Sequence, residues 1–176
     1  KTIKNSNISE NIKPFPELNE ETNKPREEII NESERITINN NLLEGSVSLS
    51  GARIDDIILK NYFEELKEDS NYVKILSPKG TNNSYFVEHG WVANNNSDIK
   101  LPNSKTIWNS NNSEINTSSI TTLTWDNGDG IIFKRTISLD NEYMFEITQT
   151  VINNSKKDIT LYPYGIINRE GYPKLS

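Results

Sequence analysis

Across residues 120–168 apolar and polar side chains alternate with a period of two. Ile131, Phe133, Ile137 and Leu139 fall on one side of a strand, and Lys134, Thr136 and Ser138 on the other. The next run repeats the pattern, with Tyr143, Phe145, Ile147 and Val151 set against Glu146, Thr148 and Thr150. Such alternation is what a sheet with one buried face requires. Residues 35–40 and 45–50 alternate over shorter spans, the second placing Val47 and Leu49 on one face. Between the runs lie turn formers. Asp126-Asn127-Gly128-Asp129-Gly130 supplies residues that tolerate positive φ, and Asn153-Asn154-Ser155-Lys156 marks another reversal.

Register can be argued at the hairpin around Asn141. A two-residue loop, Asp140-Asn141, would set Phe133 against Thr148 and Ile131 against Thr150. A three-residue loop over 140–142 pairs Leu139 with Tyr143, Ile137 with Phe145 and Ile131 with Val151. The second keeps the apolar face continuous, which a one-residue slip would spoil, and it is the register predicted. Arg135 is the single charge on that face, with Ile147 expected opposite and Gln149 on the diagonal. A lone buried charge is costly. The expected place for Arg135 is therefore a sheet margin, its head in solvent or on a carboxylate.

Two stretches depart from the strand pattern. In 53–66, Ile54, Ile57, Ile58, Tyr62 and Leu66 recur at helical spacing, yet the Ile-rich composition just after Gly51 suits a strand. Residues 1–34 hold Pro14, Pro16 and Pro25, isolated apolar residues, and five basic against eight acidic side chains. A segment so poor in apolar surface cannot offset the entropy of ordering it. It reads as an acidic, flexible linker with a short helical turn at 25–33, followed by one β-domain over 35–176.

Composition narrows the function classes. With 33% hydrophobic residues among 176 and a mean hydropathy of -0.70, one domain and a solvated tail are expected. The net charge of -6 comes without the basic stripe that nucleic acid requires, and without a basic amphipathic helix for anionic lipid. No cysteine is present, which excludes disulfides and thiolate chemistry. No stretch approaches the roughly 20 apolar residues of a membrane span. The chain begins at Lys1 with no apolar leader and is read as an excised piece of a longer precursor.

Candidate chemistry is sparse. His89 is the only histidine, so neither an imidazole metal site nor a two-histidine epimerase site can be built. Asp55-Asp56 suggests paired carboxylates, but neighbours on a strand point to opposite faces and do not converge unaided. Asp126–Asp129 lacks the later acidic ligands of a calcium loop. There is no Gly-x-Ser-x-Gly elbow and no phosphate-binding glycine loop. No catalytic, cofactor-binding or metal residue is assigned. Trp91, Trp108 and Trp125, with Arg135, are the candidate groove or partner contacts; aromatic groups of this kind otherwise sit in or over a β core.

Four collinear blocks extend this reading. Gly51-Ala52-Arg53-Ile54-Asp55-Asp56-Ile57-Ile58-Leu59-Lys60-Asn61-Tyr62 comes first. Val73–Gly80 with Tyr85-Phe86-Val87-Glu88-His89-Gly90-Trp91-Val92 follows. Leu123–Gly128 leads into Phe133–Asp140 and Tyr143, and then come Val151–Ser155 and Leu161-Tyr162-Pro163-Tyr164-Gly165-Ile166-Ile167-Asn168-Arg169. Together they resemble the periplasmic domain of YidC-type membrane protein insertases, in wording closest to the alphaproteobacterial members. The resemblance implies an all-β fold, an antiparallel β-super-sandwich of galactose-mutarotase-like type, cut short at its C-terminus and preceded by a disordered linker. It resolves 53–59 toward a strand. It further implies a non-catalytic module without cofactor on the periplasmic face of the bacterial inner membrane. That module would aid insertion and folding of membrane proteins, with nascent membrane proteins and the Sec translocon as partners of the parent protein. The alternative is a carbohydrate- or peptide-binding β-sandwich module.

Overall fold

The computed structural model describes residues 23–67, 69–95 and 97–171. Helix α1 (Arg26–Asn31) is followed by β1 (Arg35–Asn39), β2 (Leu43–Ser48), β3 (Arg53–Phe63), β4 (Tyr72–Leu76) and β5 (Tyr85–Ala93). The short strands β6 (Asn109–Ser110) and β7 (Glu114–Ile115) lead to β8 (Thr121–Asp126), β9 (Ile131–Leu139), β10 (Phe145–Asn153) and β11 (Leu161–Arg169). The strands form two sheets. One has seven strands in the order β11-β5-β3-β2-β1-β7, with β4 also paired to β3; the other has the order β10-β9-β8-β6. The pairings are antiparallel except for β1 with β7. The architecture is the antiparallel sandwich that alternation predicts.

The core lies between the sheets. Ile36, Ile38, Val47, Ile54, Ile57 and Trp91 of the larger sheet meet Leu123, Phe133, Ile137 and Leu139 of the smaller one, all buried. β9 alternates between buried and half-buried residues along its whole length, as its sequence requires. The ambiguous stretch is a strand, and it runs to Phe63. Its helical spacing is overridden because pairing with β2, β4 and β5 satisfies its backbone.

The β9–β10 register corrects the prediction. The Asp140 N–H donates to the Met144 carbonyl at 3.1 Å, closing a three-residue loop over 141–143, one residue later than expected. The Asp140 carboxylate accepts from the N–H groups of Glu142 (2.8 Å) and Met144 (2.9 Å), which is what places the turn. Leu139 therefore pairs with Phe145, Ile137 with Ile147, Phe133 with Val151, and Arg135 with Gln149 instead of Ile147. Partners move by two residues, so the side chains that remain in the ladder keep their faces, whereas Tyr143, expected opposite Leu139, lies exposed in the loop. Face continuity excludes odd slips and is blind to even ones.

Residues 25–33 form the expected helical turn, as α1. They do not float as part of a linker: Arg26 reaches Asp56 on β3, with its Nε donating at 2.7 Å. Residues 1–22 of the linker expected over 1–34 lie outside the described residues.

Gly45 shows how closely β2 and β3 approach. A Cβ there would stand 2.0 Å from the Asp56 carbonyl oxygen, a backbone atom that cannot swing away. Gly45→Ala is expected to cost on the order of 3 kcal/mol in denaturant unfolding, the range of a forced backbone rearrangement. A loss below 1 kcal/mol would show that the strands part without penalty.

Candidate functional site

Arg135, expected at a margin, is 1% exposed in the middle of the sandwich. It rises from β9 and crosses to the opposite sheet. Its Nη1 donates to the Ala52 carbonyl and its Nη2 to the His89 carbonyl, each at 2.6 Å. Its guanidinium lies 5.2 Å from the Trp108 ring centroid, a cation–π contact strengthened by exclusion of water. The site thus contradicts the marginal placement for a physical reason: two peptide dipoles and an aromatic face replace the solvent and carboxylate that were expected. Burial still disfavours the charge, lowering the Arg135 pKa to about 10 with Tyr164 and Glu88 pulling the other way. At neutral pH Arg135 is a cation.

The Ala52 carbonyl is presented by an unusual turn. Gly51 (φ 73°) and Ala52 (φ 50°) are both left-handed. For an alanine this is a cost of order 1–3 kcal/mol, and Arg135 holds the acceptor it creates. Around Arg135 the interior is polar. Gln149 lies opposite it and donates to the Tyr164 carbonyl at 3.4 Å. Arg135 Nε, Trp108 Nε1, His89 Nδ1 and Gln149 Oε1 have no hydrogen-bond partner among the described residues. Burial, then Arg135, holds the His89 pKa down at about 4, so the imidazole is neutral. Burial, then Glu88, pushes Tyr164 up to about 12.

The three tryptophans do not form one exposed groove. Trp108 is 1% exposed and Trp91 5%; their rings stack with centroids 6.4 Å apart. Trp91 and Trp125 both pack on Phe133, at 5.0 and 5.7 Å. Trp108 is thus a core residue, inaccessible to a glycan. Trp91 borders a cleft, of about 510 Å³, that opens where the two sheets part between β10 and β11 and is also lined by Val151, Ile159, Leu161 and Pro163, with Asn153 and Asp158 at its polar side.

Sequence reasoning missed a second constellation. Ser46 pairs with Asp56 and Val47 with Ile54, so Asp55 is the extra residue of a β-bulge. The bulge removes the alternation at this point and puts both carboxylates on the outer face of the seven-stranded sheet, each 2% exposed. Arg35 pairs with Asp55 and donates from Nε to Ser46 Oγ at 2.8 Å. Ser46 Oγ donates to Asp56 at 2.8 Å, and Arg26 of α1 closes the chain on Asp56. Burial pushes the Asp55 carboxyl above its ordinary value in spite of Arg35. With an arginine on each carboxylate, the pair fastens α1 to the sheet. The only signal for it in the sequence is the neighbouring aspartates themselves, since a bulge has no pattern of its own.

With this geometry in hand, comparison with known proteins is decisive. The model of the YidC periplasmic domain matches residues 35–176. The chain belongs to that family. Relatives named "Membrane protein insertase YidC" include those of Methylobacterium nodulans, 43% identical over 84% of this chain, Rickettsia typhi, 43% over 92%, and Rickettsia prowazekii, 47% over 78%. The matches cover 24%, 29% and 24% of those proteins, so the chain spans about a quarter of their length. Membership places the β-domain in the periplasm. No helix among the described residues is long and apolar enough to cross a membrane.

Two predictions test the Arg135 layer. Arg135→Ala leaves two buried carbonyls without donors and a void beside Trp108, and is expected to cost about 3–5 kcal/mol. Arg135→Lys keeps the charge but cannot span both carbonyls with a rigid fork, and is expected to cost about 1–3 kcal/mol. Denaturant melts measure both, and equal losses would deny the fork its role. For pH, an unfolded histidine titrates near 6.5 while folded His89 titrates near 4. In that window only the unfolded state takes the proton, so stability falls as pH drops from 6.5 to 4. Asp55, whose folded pKa is raised, acts in the opposite sense. His89→Gln should therefore show a shallower fall of Tm over this range than the parent; identical slopes would remove His89 from the acid response.

Proposed function

We propose that this domain acts non-covalently, as the accessory module of an insertase that aids insertion and folding of inner-membrane proteins, alone or beside the Sec translocon. The observation that carries the reading is the open margin of the sandwich. β10 ends its sheet with one partner, β9, among the described strands, and β11 ends the other sheet with one partner, β5. An edge strand offers unpaired N–H and C=O groups to an extended segment. Beside it the cleft at Trp91 supplies apolar walls for alternate side chains. Extended, partly apolar polypeptide is the ligand such a margin fits: an emerging membrane protein or a translocon segment. No reaction is assigned. Asp55 and Asp56 are occupied by arginines, and His89 is neutral, with its Nδ1 unpaired among the described residues.

Photo-crosslinking in the full-length protein tests this. A benzophenone side chain at Thr150 on β10 is expected to capture a nascent membrane protein or a translocon subunit during insertion, and the same group at Lys134 on the interior strand β9 is not. Crosslinks from Thr150 only to the parent's own chain, together with undiminished insertion in reconstituted liposomes when Trp91 and Ile159 are replaced by Ala, would overturn the proposal.

A further inference from the structure

On the outer face of the seven-stranded sheet, beside α1, lies a second cleft of about 500 Å³, far more basic than the chain that contains it. Five cations line it (Lys24, Arg35, Arg53, Lys79 and Lys105) against two carboxylates, Glu32 and Asp55. Three of the cations are balanced. Arg35 pairs with Asp55, Arg53 with Glu88 at 3.4 Å, and Lys24 with Glu28 and Glu32. Lys79 and Lys105 form no ion pair among the described residues. Two unneutralised ammonium groups therefore flank one polar cleft in a chain whose net charge is -6.

Both lysines stand on turns that are tied down. The turn bearing Lys79 is closed by Thr81, whose N–H (3.1 Å) and hydroxyl (2.7 Å) both donate to the Pro78 carbonyl, and the Lys24 N–H donates to the Gly80 carbonyl at 2.9 Å. The turn bearing Lys105 is closed by the Thr106 N–H on the Asn103 carbonyl at 3.0 Å, and the Lys105 N–H donates to Asn103 Oδ1 at 2.9 Å. That turn is docked on the β2–β3 connection, where the Gly51 N–H donates to the Thr106 carbonyl at 2.7 Å and Ser50 Oγ to the Ser104 carbonyl at 3.2 Å. Holding like charges near one cleft costs free energy in the absence of an anion, and backbone tethers reduce the entropy lost when one binds.

We infer that this cleft is an anion site, in which Lys79 and Lys105 bind a phosphate-type dianion above the floor set by Arg35 and Arg53. Two ammonium groups without an ion-pair partner, in a neighbourhood whose five cations face four carboxylates (Glu28, Glu32, Asp55 and Glu88), leave the cleft an excess of positive charge for an anion to meet. A free phosphate and the phosphate of an anionic lipid headgroup share this chemistry. The inference is independent of the β10–β11 margin, which lies on a different part of the sandwich.

Titration calorimetry of the full chain with inorganic phosphate at low salt should show saturable binding, with Kd on the order of 1 mM. Lys79→Ala/Lys105→Ala should weaken it at least tenfold with unchanged Tm, Lys79→Arg/Lys105→Arg should retain it, and Lys60→Ala should leave it unaltered. Cosedimentation separates the sources. Phosphatidylglycerol vesicles that bind the chain and release it on addition of phosphate assign the headgroup, and phosphate binding without vesicle binding assigns a free phosphate. Absence of saturable binding to either probe, or a double alanine variant that binds as the parent does, would overturn the site.

Discussion

The sandwich depends on Arg135 joining its two halves. Apolar contact between sheets is non-directional and tolerates sliding, whereas two 2.6 Å hydrogen bonds from a planar guanidinium to carbonyls on β5 and on the β2–β3 turn do not. One side chain from the smaller sheet thereby sets where it lies on the larger. The left-handed Ala52 and the ring of Trp108 both serve to make a cation acceptable in the core, and His89 beside it is held neutral by burial first and by Arg135 second. An apolar residue of similar volume would remove the desolvation cost, but it would leave those carbonyls facing nothing.

The outer face of the larger sheet follows a different rule. There the bulge at Asp55 gathers buried carboxylates, and arginines from β1 and α1 neutralise them. Buried pairs of this kind add little net stability, since desolvation nearly cancels attraction. Their consequence is positional: Arg26 holds α1 against β3. Helix α1 is thus oriented relative to the sheets, and the turn bearing Lys79 is tied to the chain just before that helix through the Lys24 N–H.

The margin between β10 and β11 holds the ends of both sheets and the Trp91 cleft. Its exposed edges and the Trp91 cleft are the features that β-domains ordinarily cover or blunt. The matched relatives are a little over three times as long as this chain, and the role proposed for this margin is contact with extended polypeptide.

Alternation and turn chemistry by themselves determined the strands of 120–168, the faces of their side chains, the Asp126–Gly130 reversal and the all-β class, because period two and positive-φ residues are local properties. Collinear blocks carried the family, since they record the order of many weak local preferences. Tertiary structure decided the rest. A shift of partners by two leaves every face unchanged, so only the Asp140 turn distinguishes the registers of β9 and β10. A bulge has no periodic signal, so the convergence of Asp55 and Asp56 was invisible until β2 lay beside β3. The fate of Arg135 could not be read from its own strand either. Whether a charge on an apolar face belongs at a margin or in the core is settled by the acceptors opposite it, and those come from residues 46 and 83 positions away in the chain.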